Sequence, residues 1–407
     1  MENLLGWFCL VIIFLFVFNW TIKYPHTKNF LLTAFLLRAI CIILDNHNVI
    51  ILPDSTADAD TFERKAREFS DNYGLSIVFD IFQRDSLLMV RIISIFYTLF
   101  GESKMMAQSI SVALGTTSVY LVYYLSSILW DERSANKAAW VSALFPSLIL
   151  YSSITLREVY IVFFLLIALI GVAKYFKNQK ITSLLQALVC FSVLIFFHGA
   201  ASIGAFVFLT YVFLKLIREQ FNKLQNFRIN LFSILFIILI SIPTILFLNN
   251  KLSIPYIPNL YDFDSILFAS NVGIKHLEAE SEYPSWFLIN NIYELIPKTI
   301  IKAIYFLYSP FIWDIKKTYH TIGFLDSIPY FILSFYLIKN IKAIWENPIT
   351  RVFLLMFIVY VMIHGLGVGN FGTAIRHKSK FVVILIVLAA PKIHKFILST
   401  QKKTYKK

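Results

Sequence analysis

A chain of 407 residues that is 58% apolar, 17% aromatic and only 15% charged, with a mean hydropathy of +0.70, is not a soluble globular protein, since soluble domains carry roughly 25% charged residues. The net charge of +13 does not mark a nucleic-acid binder. Its Lys and Arg residues gather in short connections between apolar runs and in the tail Lys402-Lys403-Thr404-Tyr405-Lys406-Lys407, the distribution of cytoplasmic loops under the positive-inside rule, with membrane lipids as partners through their anionic headgroups.

The expected class is an all-α polytopic membrane protein, one integral domain over 1–407. A hydrocarbon core of ~30 Å needs about 20 mostly apolar helical residues. Runs of that kind lie at 4–22, 30–46, 106–129, 138–155, 159–175, 183–199, 201–217, 229–248, 325–342, 352–368 and 380–398. Shorter ones at 86–100 and 299–313 raise the expected count of spans from 11 to as many as 13. The first run has no basic segment before it and no small-residue cleavage site, so it reads as a retained helix. Cys9, Cys41 and Cys190 all sit in apolar runs, which argues against a disulfide framework or a Cys-based metal site. Arg38 and Arg91, inside apolar stretches, are expected to snorkel to the interface.

Basic connections fix the orientation. Lys174, Lys177 and Lys180 mark one inner loop, Arg218, Lys223 and Arg228 a second, and Lys339, Lys342 and Arg351 a third. The segments near 47–85, 249–298 and 368–379 then fall on the non-cytoplasmic face of the plasma membrane.

The first external loop, 47–85, carries three carboxylates within seven residues: Asp54, Asp58 and Asp60. Ser55 or Thr56 is expected to cap a helix that begins near Asp58. Ala59, Phe62, Ala66 and Phe69 then share one face, as on a helix lying on a bilayer. Asp58 falls about 60° from the centre of that stripe and Asp60 about 140° away, so Asp58 is the one that meets a lipid-linked substrate. The bland alternative is a solvated loop. Asp58 with Asp60 could also hold a divalent ion through oxygen ligands; no cofactor is otherwise implied.

The pattern Asp58-x-x-x-Phe62-x-x-x-Ala66-Arg67-Glu68 resembles the first external loop of the GT-C superfamily of membrane glycosyltransferases, which includes protein O-mannosyltransferases and the lipid A aminoarabinose transferases. The likeness continues through Leu99-Phe100-Gly101-Glu102-Ser103, Tyr120 to Trp130, Ala135 to Ala139, and Phe145-Pro146-Ser147 to Tyr151-Ser152-Ser153, covering about residues 50–160 with an echo at 370–391. The chain differs in an additional amino-terminal span and in lacking a His-Pro-Pro-type element after the loop. The resemblance implies a polyprenyl-phosphate-linked sugar donor, a glycan or lipid acceptor, chemistry on the outer face, and Asp58 as the catalytic carboxylate.

Two further groups suit an anionic donor. Arg157-Glu158 follows Tyr151-Ser152-Ser153 at the external end of a span, where Arg157 is either a phosphate or sugar contact or a snorkelling cation neutralised by its neighbour. The run from Gly365 to Gly372 holds four glycines, whose backbones can approach an anion closely, and Arg376, His377, Lys378 and Lys380 follow at once. Cations at an outer edge run against the positive-inside trend, so phosphate binding explains them better than topology does, with headgroup contact as the alternative. His198 and His364 each read as lone hydrogen-bonded bundle residues. The loop at 249–298, with Asp262, Asp264, Lys275, His276, Glu278, Glu280, Glu282, Tyr283 and Trp286, suits an acceptor platform or an interfacial belt.

The sequence therefore points to a glycosyltransferase using a lipid-phosphate sugar. A repeat-unit polymerase of the O-antigen or capsule type is the first alternative and differs in its diphosphate-linked oligosaccharide donor. A lipid-linked oligosaccharide flippase or transporter is the second, and it would be expected to show inverted repeats and a charged midplane cavity, neither of which the sequence suggests.

Overall fold

The computed structural model describes residues 2–83, 85–224 and 282–394, together with Leu267, Ser270 and Asn271. Within them the chain is helical: sixteen α-helices and short 3-10 turns, with one isolated bridge between Glu282 and Asn370. In order these are α1 (Glu2–Lys23), α2 (Lys28–Asn46), α3 (Asp58–Tyr73), α4 (Leu88–Phe100), α5 (Lys104–Leu129), α6 (Glu132–Leu144), α7 (Pro146–Tyr151) and α8 (Glu158–Asn178). They continue with α9 (Ile181–Phe197), α10 (Ile203–Leu224), α11 (Ile292–Tyr308), α12 (Thr318–Lys339), α13 (Ile341–Glu346), α14 (Pro348–Gly367), α15 (Phe371–Ser379) and α16 (Val382–Ala389).

Six of the helical segments are long and apolar enough to cross a bilayer: Leu4–Lys23, Pro25–Asn46, Lys104–Leu129, Glu158–Asn178, His320–Lys339 and Pro348–Gly367. Leu88–Phe100, Ile181–Phe197, Gly199–Lys215 and Val382–Lys392 are apolar but shorter. By length and composition this is a multi-pass membrane chain. Leu4, Phe8, Leu15 and Phe16 on α1 and Phe331, Ile332 and Phe335 on α12 are exposed, an apolar outward surface of the kind a hydrocarbon core covers. The expected span at 229–248 and most of the expected loop at 249–298 lie outside the described residues.

The run 138–155 is not one helix. Pro146 disfavours a helical residue before it, Phe145 is extended, and the chain breaks into α6 and the short α7, with Ser152–Arg157 linking to α8. That break brings a non-helical backbone to the end of the bundle, where the functional candidates collect. Polar caps close several helices: Ser103 accepts from Met106 N at the start of α5, Asp131 from Ser134 N at α6, and Asn370 from Thr373 N at α15, each satisfying an amide that the helix cannot.

The centre is α16, in which every residue from Val382 to Ala389 is buried. Around it α5, α6, α12 and α14 pack, and α9 lies against α8 with Gly171 at the crossing. Arg38 and Arg91 depart from the snorkelling expectation. Arg38 is 1% exposed and donates to Ser152 Oγ at 2.6 Å, Ala34 O at 2.9 Å and Leu148 O at 3.4 Å, tying α2 to α7. Arg91 is buried against Asp85 and Gln83. Both guanidiniums find oxygen acceptors inside the fold, which is cheaper than leaving a buried charge unmet.

A Cβ on Gly171 would lie 2.8 Å from Ala187 N and 2.9 Å from Ser183 O, both backbone atoms that cannot swing aside. Small residues are what allow membrane helices to approach this closely. Gly171→Val is expected to lower stability by about 1–3 kcal/mol, seen as a reduced melting temperature of the detergent-solubilised protein. Gly367→Ala, which meets nothing within 4 Å, should leave the melting temperature unchanged.

Candidate functional site

Three segments far apart in sequence meet at one end of the bundle: the loop and first turn around Asp54 and Asp58, the α7–α8 junction, and α15. The acidic loop is tethered from below. Asp45, 3% exposed in the last turn of α2, accepts from Leu52 N at 3.1 Å, Ser55 Oγ at 2.8 Å and Gln108 Nε2 at 3.0 Å, and pairs with Lys104 at 3.1 Å. Ser55 is therefore consumed by Asp45 and does not cap α3, nor does Thr56; the residue at the cap position is Ala57, which makes no side-chain bond. Asp54 adopts a left-handed φ of 64°, tolerated better by Asp than by most residues, and its carbonyl accepts from Ala57 N at 3.3 Å and Ala59 N at 3.2 Å, turning the chain into α3.

Helix α3 starts at Asp58 as the sequence indicates, but its apolar stripe rests on protein. Ala59 packs with Tyr151, Ile154 and Leu156, and Ala66 joins the core beside α4. Asp58 is left at the rim, its side chain 53% exposed, and its Oδ2 pairs with Arg376 NH1. Asp60 is exposed and lies about 200° farther round the helix, so the two carboxylates do not face a common ion.

Arg376 is the hub. Its Nε donates to Glu158 Oε1 at 2.9 Å while NH1 reaches Asp58. Burial pulls the guanidinium down, but the carboxylates of Glu158 and Asp58 outweigh it and hold its pKa above the usual value. Glu158, 1% exposed in the first turn of α8, also pairs with Lys380 at 3.4 Å. Arg157 lies with its guanidinium 5.9 Å from the Phe62 ring, an approach of the α8 start to α3. Burial, with Asp58 and Glu158 nearby, pushes the Asp54 carboxyl up despite Arg376.

Of the basic run, Arg376 and Lys380 join this group and His377 lies beside it. Lys378 does not. Its Nζ is buried and donates to Leu307 O at 3.3 Å, Ser309 O at 3.2 Å and Ser327 Oγ at 3.0 Å, 4.5 Å from the Tyr330 ring. Burial brings its pKa down to about 8, and it serves to fasten α15 to α11 and α12. His198 and His364, read separately in the sequence, are not lone. With His377 they form a cluster whose ring centroids are 5.1 to 6.0 Å apart. Among the described residues no group of three or more His, Cys, Asp or Glu side chains is arranged to hold a metal ion.

One residue escaped the sequence reading. Glu63 lies on the same face of α3 as Ala59 and Ala66, is 3% exposed, and accepts from Thr155 Oγ1 at 2.5 Å, fixing α3 to the α7–α8 linker. The signal was a carboxylate one turn after Ala59, inside the apolar stripe. Burial pushes its carboxyl up to about 7, against the Thr155 hydrogen bond, which favours the charged form. A carboxyl raised on folding stabilises while protonated, so this contribution is full below the unfolded value of about 4.3 and is lost as pH rises through about 7. Between pH 5 and 8 (roughly the window those two values define), wild type should lose melting temperature as pH rises. Glu63→Gln should flatten that slope while keeping the Thr155 contact.

Compared with protein-family models, curated proteins and solved structures, this chain matches none.

Proposed function

We propose that this chain is a membrane glycosyltransferase that moves a sugar from a polyprenyl-phosphate-linked donor to a cell-surface glycan or lipid at the outer face of the plasma membrane. The observation that carries the reading is the Asp58–Arg376–Glu158 group, in which a rim carboxylate and a forked cation from opposite ends of the chain meet at the edge of the bundle. In the full chain we expect 11 to 13 spans, with the acidic loop and α15 outside.

The chemistry assigned to these residues is direct displacement with inversion. The acceptor hydroxyl attacks the anomeric carbon and its proton passes to Asp58, a general base at the right edge of the site. The bond from that carbon to the phosphate oxygen breaks, and the electron pair leaves with the lipid phosphate. Arg376 and Lys380 neutralise the departing charge, electrostatic stabilisation at the atom where charge grows. Glu158 holds both cations in place from beneath. Asp58 is paired with Arg376 before substrate arrives, so a donor phosphate entering the fork would exchange for Asp58 and release it as a base. Asp54 and Arg157 border the same rim and are assigned to sugar contact. The polymerase alternative uses the same face and the same cations and would differ in a diphosphate-linked oligosaccharide donor.

Asp58→Asn is expected to abolish transfer in a proteoliposome assay while the protein still inserts, and Asp60→Asn to leave most activity. Full activity of the Asp58 variant would remove the catalytic assignment. Arg376→Ala should lower transfer or donor affinity about ten- to a hundredfold, the loss of one charge-assisted bond of about 1.5–3 kcal/mol. Arg376→Lys should stay below wild type because a point charge cannot grip both Glu158 and a phosphate.

Sidedness has its own test. Thr56 and Asn290 are exposed, so a cysteine at either position, in a background lacking the three native ones, should react with an impermeant reagent in intact cells. Protection until lysis would put the acidic loop inside and end the outer-face assignment.

A further inference from the structure

Helices α2 and α5 lie side by side and run in opposite directions. Gln108 Nε2 donates to Asp45 at 3.0 Å, a Cβ on Gly115 would lie 2.9 Å from Arg38 Nε, and the rings of Phe30 and Tyr123 are 5.5 Å apart. Numbers fall along α2 as they rise along α5. Both helices are long and apolar enough to cross a bilayer. Residues 47–103 therefore leave and rejoin the bundle at one end, where Lys104 pairs with Asp45 and Asp45 holds Ser55. A segment that starts and finishes on one side crosses the membrane an even number of times. Within this one α3 is charged along its length and only α4 is apolar. The 13 residues of α4 reach about 20 Å at 1.5 Å each, short of a ~30 Å hydrocarbon core. The run at 86–100 then adds no crossing and takes one from the largest expected count of spans.

Although it does not cross, this excursion is apolar at its tip. Helices α3 and α4 pair antiparallel, with Ser70 Oγ 3.0 Å from Thr98 Oγ1 and Arg67 Nε 3.4 Å from Glu102 Oε2. The 3-10 helix Gly74–Asp80 begins the connection between them. Ile77 points inward at 3% exposure, but Leu75, Val78 and Phe82 are exposed and Phe79 is 92% exposed. Apolar side chains gathered on a surface mark a contact. Their neighbour identifies what is contacted. The Phe82 ring lies 5.2 Å from that of Phe196, in the last turn of α9. Helix α9 is itself apolar and turns Leu185, Val189 and Ile195 outward, so the tip continues an apolar surface of the bundle. A 3-10 turn also bonds its own backbone, as a segment leaving water must. Asp71, Asn72 and Asp80 beside it are exposed and call for polar surroundings.

We infer that residues 75–82 form a wedge that enters one leaflet only, the leaflet on the side of Asp58 and Arg376, with lipid acyl chains as its partner. Its level is the boundary between headgroups and acyl chains, where an amphipathic segment buries its apolar side by about 5–10 Å. Leu75, Val78, Phe79 and Phe82 then meet hydrocarbon while the neighbouring carboxylates stay among headgroups. The apolar stripe of α3, expected from sequence to lie on the bilayer, is spent on Tyr151, Ile154 and Leu156; the lipid contact falls instead to the turn that follows the helix. Helix α3 is thereby held at both ends, by Arg376 at Asp58 and by the leaflet beyond Tyr73. The wedge fixes the height of the Asp58 rim above the acyl chains, and it holds for any reaction the chain performs.

The test uses the full chain in lipid nanodiscs, with Cys9, Cys41 and Cys190 replaced by serine and a nitroxide carried by Phe79→Cys or Leu75→Cys. Thr56→Cys, at an exposed position of the acidic loop, is the aqueous reference. Power saturation compares oxygen, which concentrates in hydrocarbon, with a water-soluble nickel chelate. Oxygen should relax the label more than the chelate at both tip positions, with the order reversed at Thr56. Chelate over oxygen at the tip places it in water and overturns the wedge. Exclusion of both relaxants means that protein covers the tip, a second copy or another segment, and overturns the lipid partner equally. Both tip side chains are exposed, and the two positions with their size-exclusion profiles guard against one variant that fails to fold. A second measurement addresses the excursion itself. Thr56→Cys and Glu102→Cys should react with an impermeant maleimide from the same side of sealed vesicles. Reaction from opposite sides would make α4 a crossing helix and remove the wedge.

Discussion

A carboxylate placed where water does not reach holds together the end of this molecule at which α3, α8 and α15 meet. Glu158 sits at 1% exposure in the first turn of α8, where the helix dipole favours negative charge. Its ion pairs with Arg376 and Lys380 meet the condition under which a buried charge is tolerated. Taking away such a partner typically destabilises by about 3–5 kcal/mol because the remaining charge is stranded. The position of α15 against α8, and through Arg376 the position of Asp58 and the start of α3, all trace back to that one group. One Glu158 oxygen, Oε2, is buried without a hydrogen-bond partner, so the pairing is carried by Oε1 alone.

The irregular backbone at this end follows from the same economy. Non-helical chain at membrane depth survives only where protein or polar side chains satisfy it. The break at Phe145–Pro146 leaves the short α7, which Arg38 braces by donating to Leu148 O and Ser152 Oγ. Gly115 on α5 makes the room: a Cβ there would meet Ser152 at 2.4 Å and the Arg38 Nε at 2.9 Å. A charged side chain in an apolar helix thus acts as a brace for the turn that presents Thr155, Arg157 and Glu158. Lys378 does the equivalent for α15, joining the carbonyls of Leu307 and Ser309. Two of the cations most conspicuous in the sequence are therefore structural ties, and the ones left at the site are Arg376, Lys380 and Arg157.

Helix α3 couples the rim to the core by two polar contacts on opposite sides of one turn and a half. Asp58 reaches outward to Arg376, and Glu63 reaches inward to Thr155. The inner contact is insulated and registers pH through its raised carboxyl; the outer one is half exposed and open to exchange with an incoming anion. A helix pinned on its inner side by Glu63 holds its place while Asp58 stays at the rim.

Hydropathy and the clustering of cations in connections settled, from sequence alone, that this is a helical multi-pass membrane chain, because a bilayer demands long apolar helices and the 3.6-residue period is written locally. The start of α3 at Asp58 was legible for the same local reason. What lies across the fold was not. No spacing connects Asp58 with Arg376, 318 residues apart, or gathers His198, His364 and His377 from three elements. Arg38 and Arg91 looked like snorkelling charges and Lys378 like a phosphate ligand, because a sequence shows the cost of burying a cation but not the carbonyls and hydroxyls that offset it. Glu63 passed unnoticed because its partner, Thr155, belongs to a linker whose position is set only when α7 and α8 pack. Pairing of charges is a property of the tertiary arrangement, and here the tertiary arrangement alone separated the cations that brace the fold, Arg38 and Lys378, from those that gather with Asp58 and Glu158.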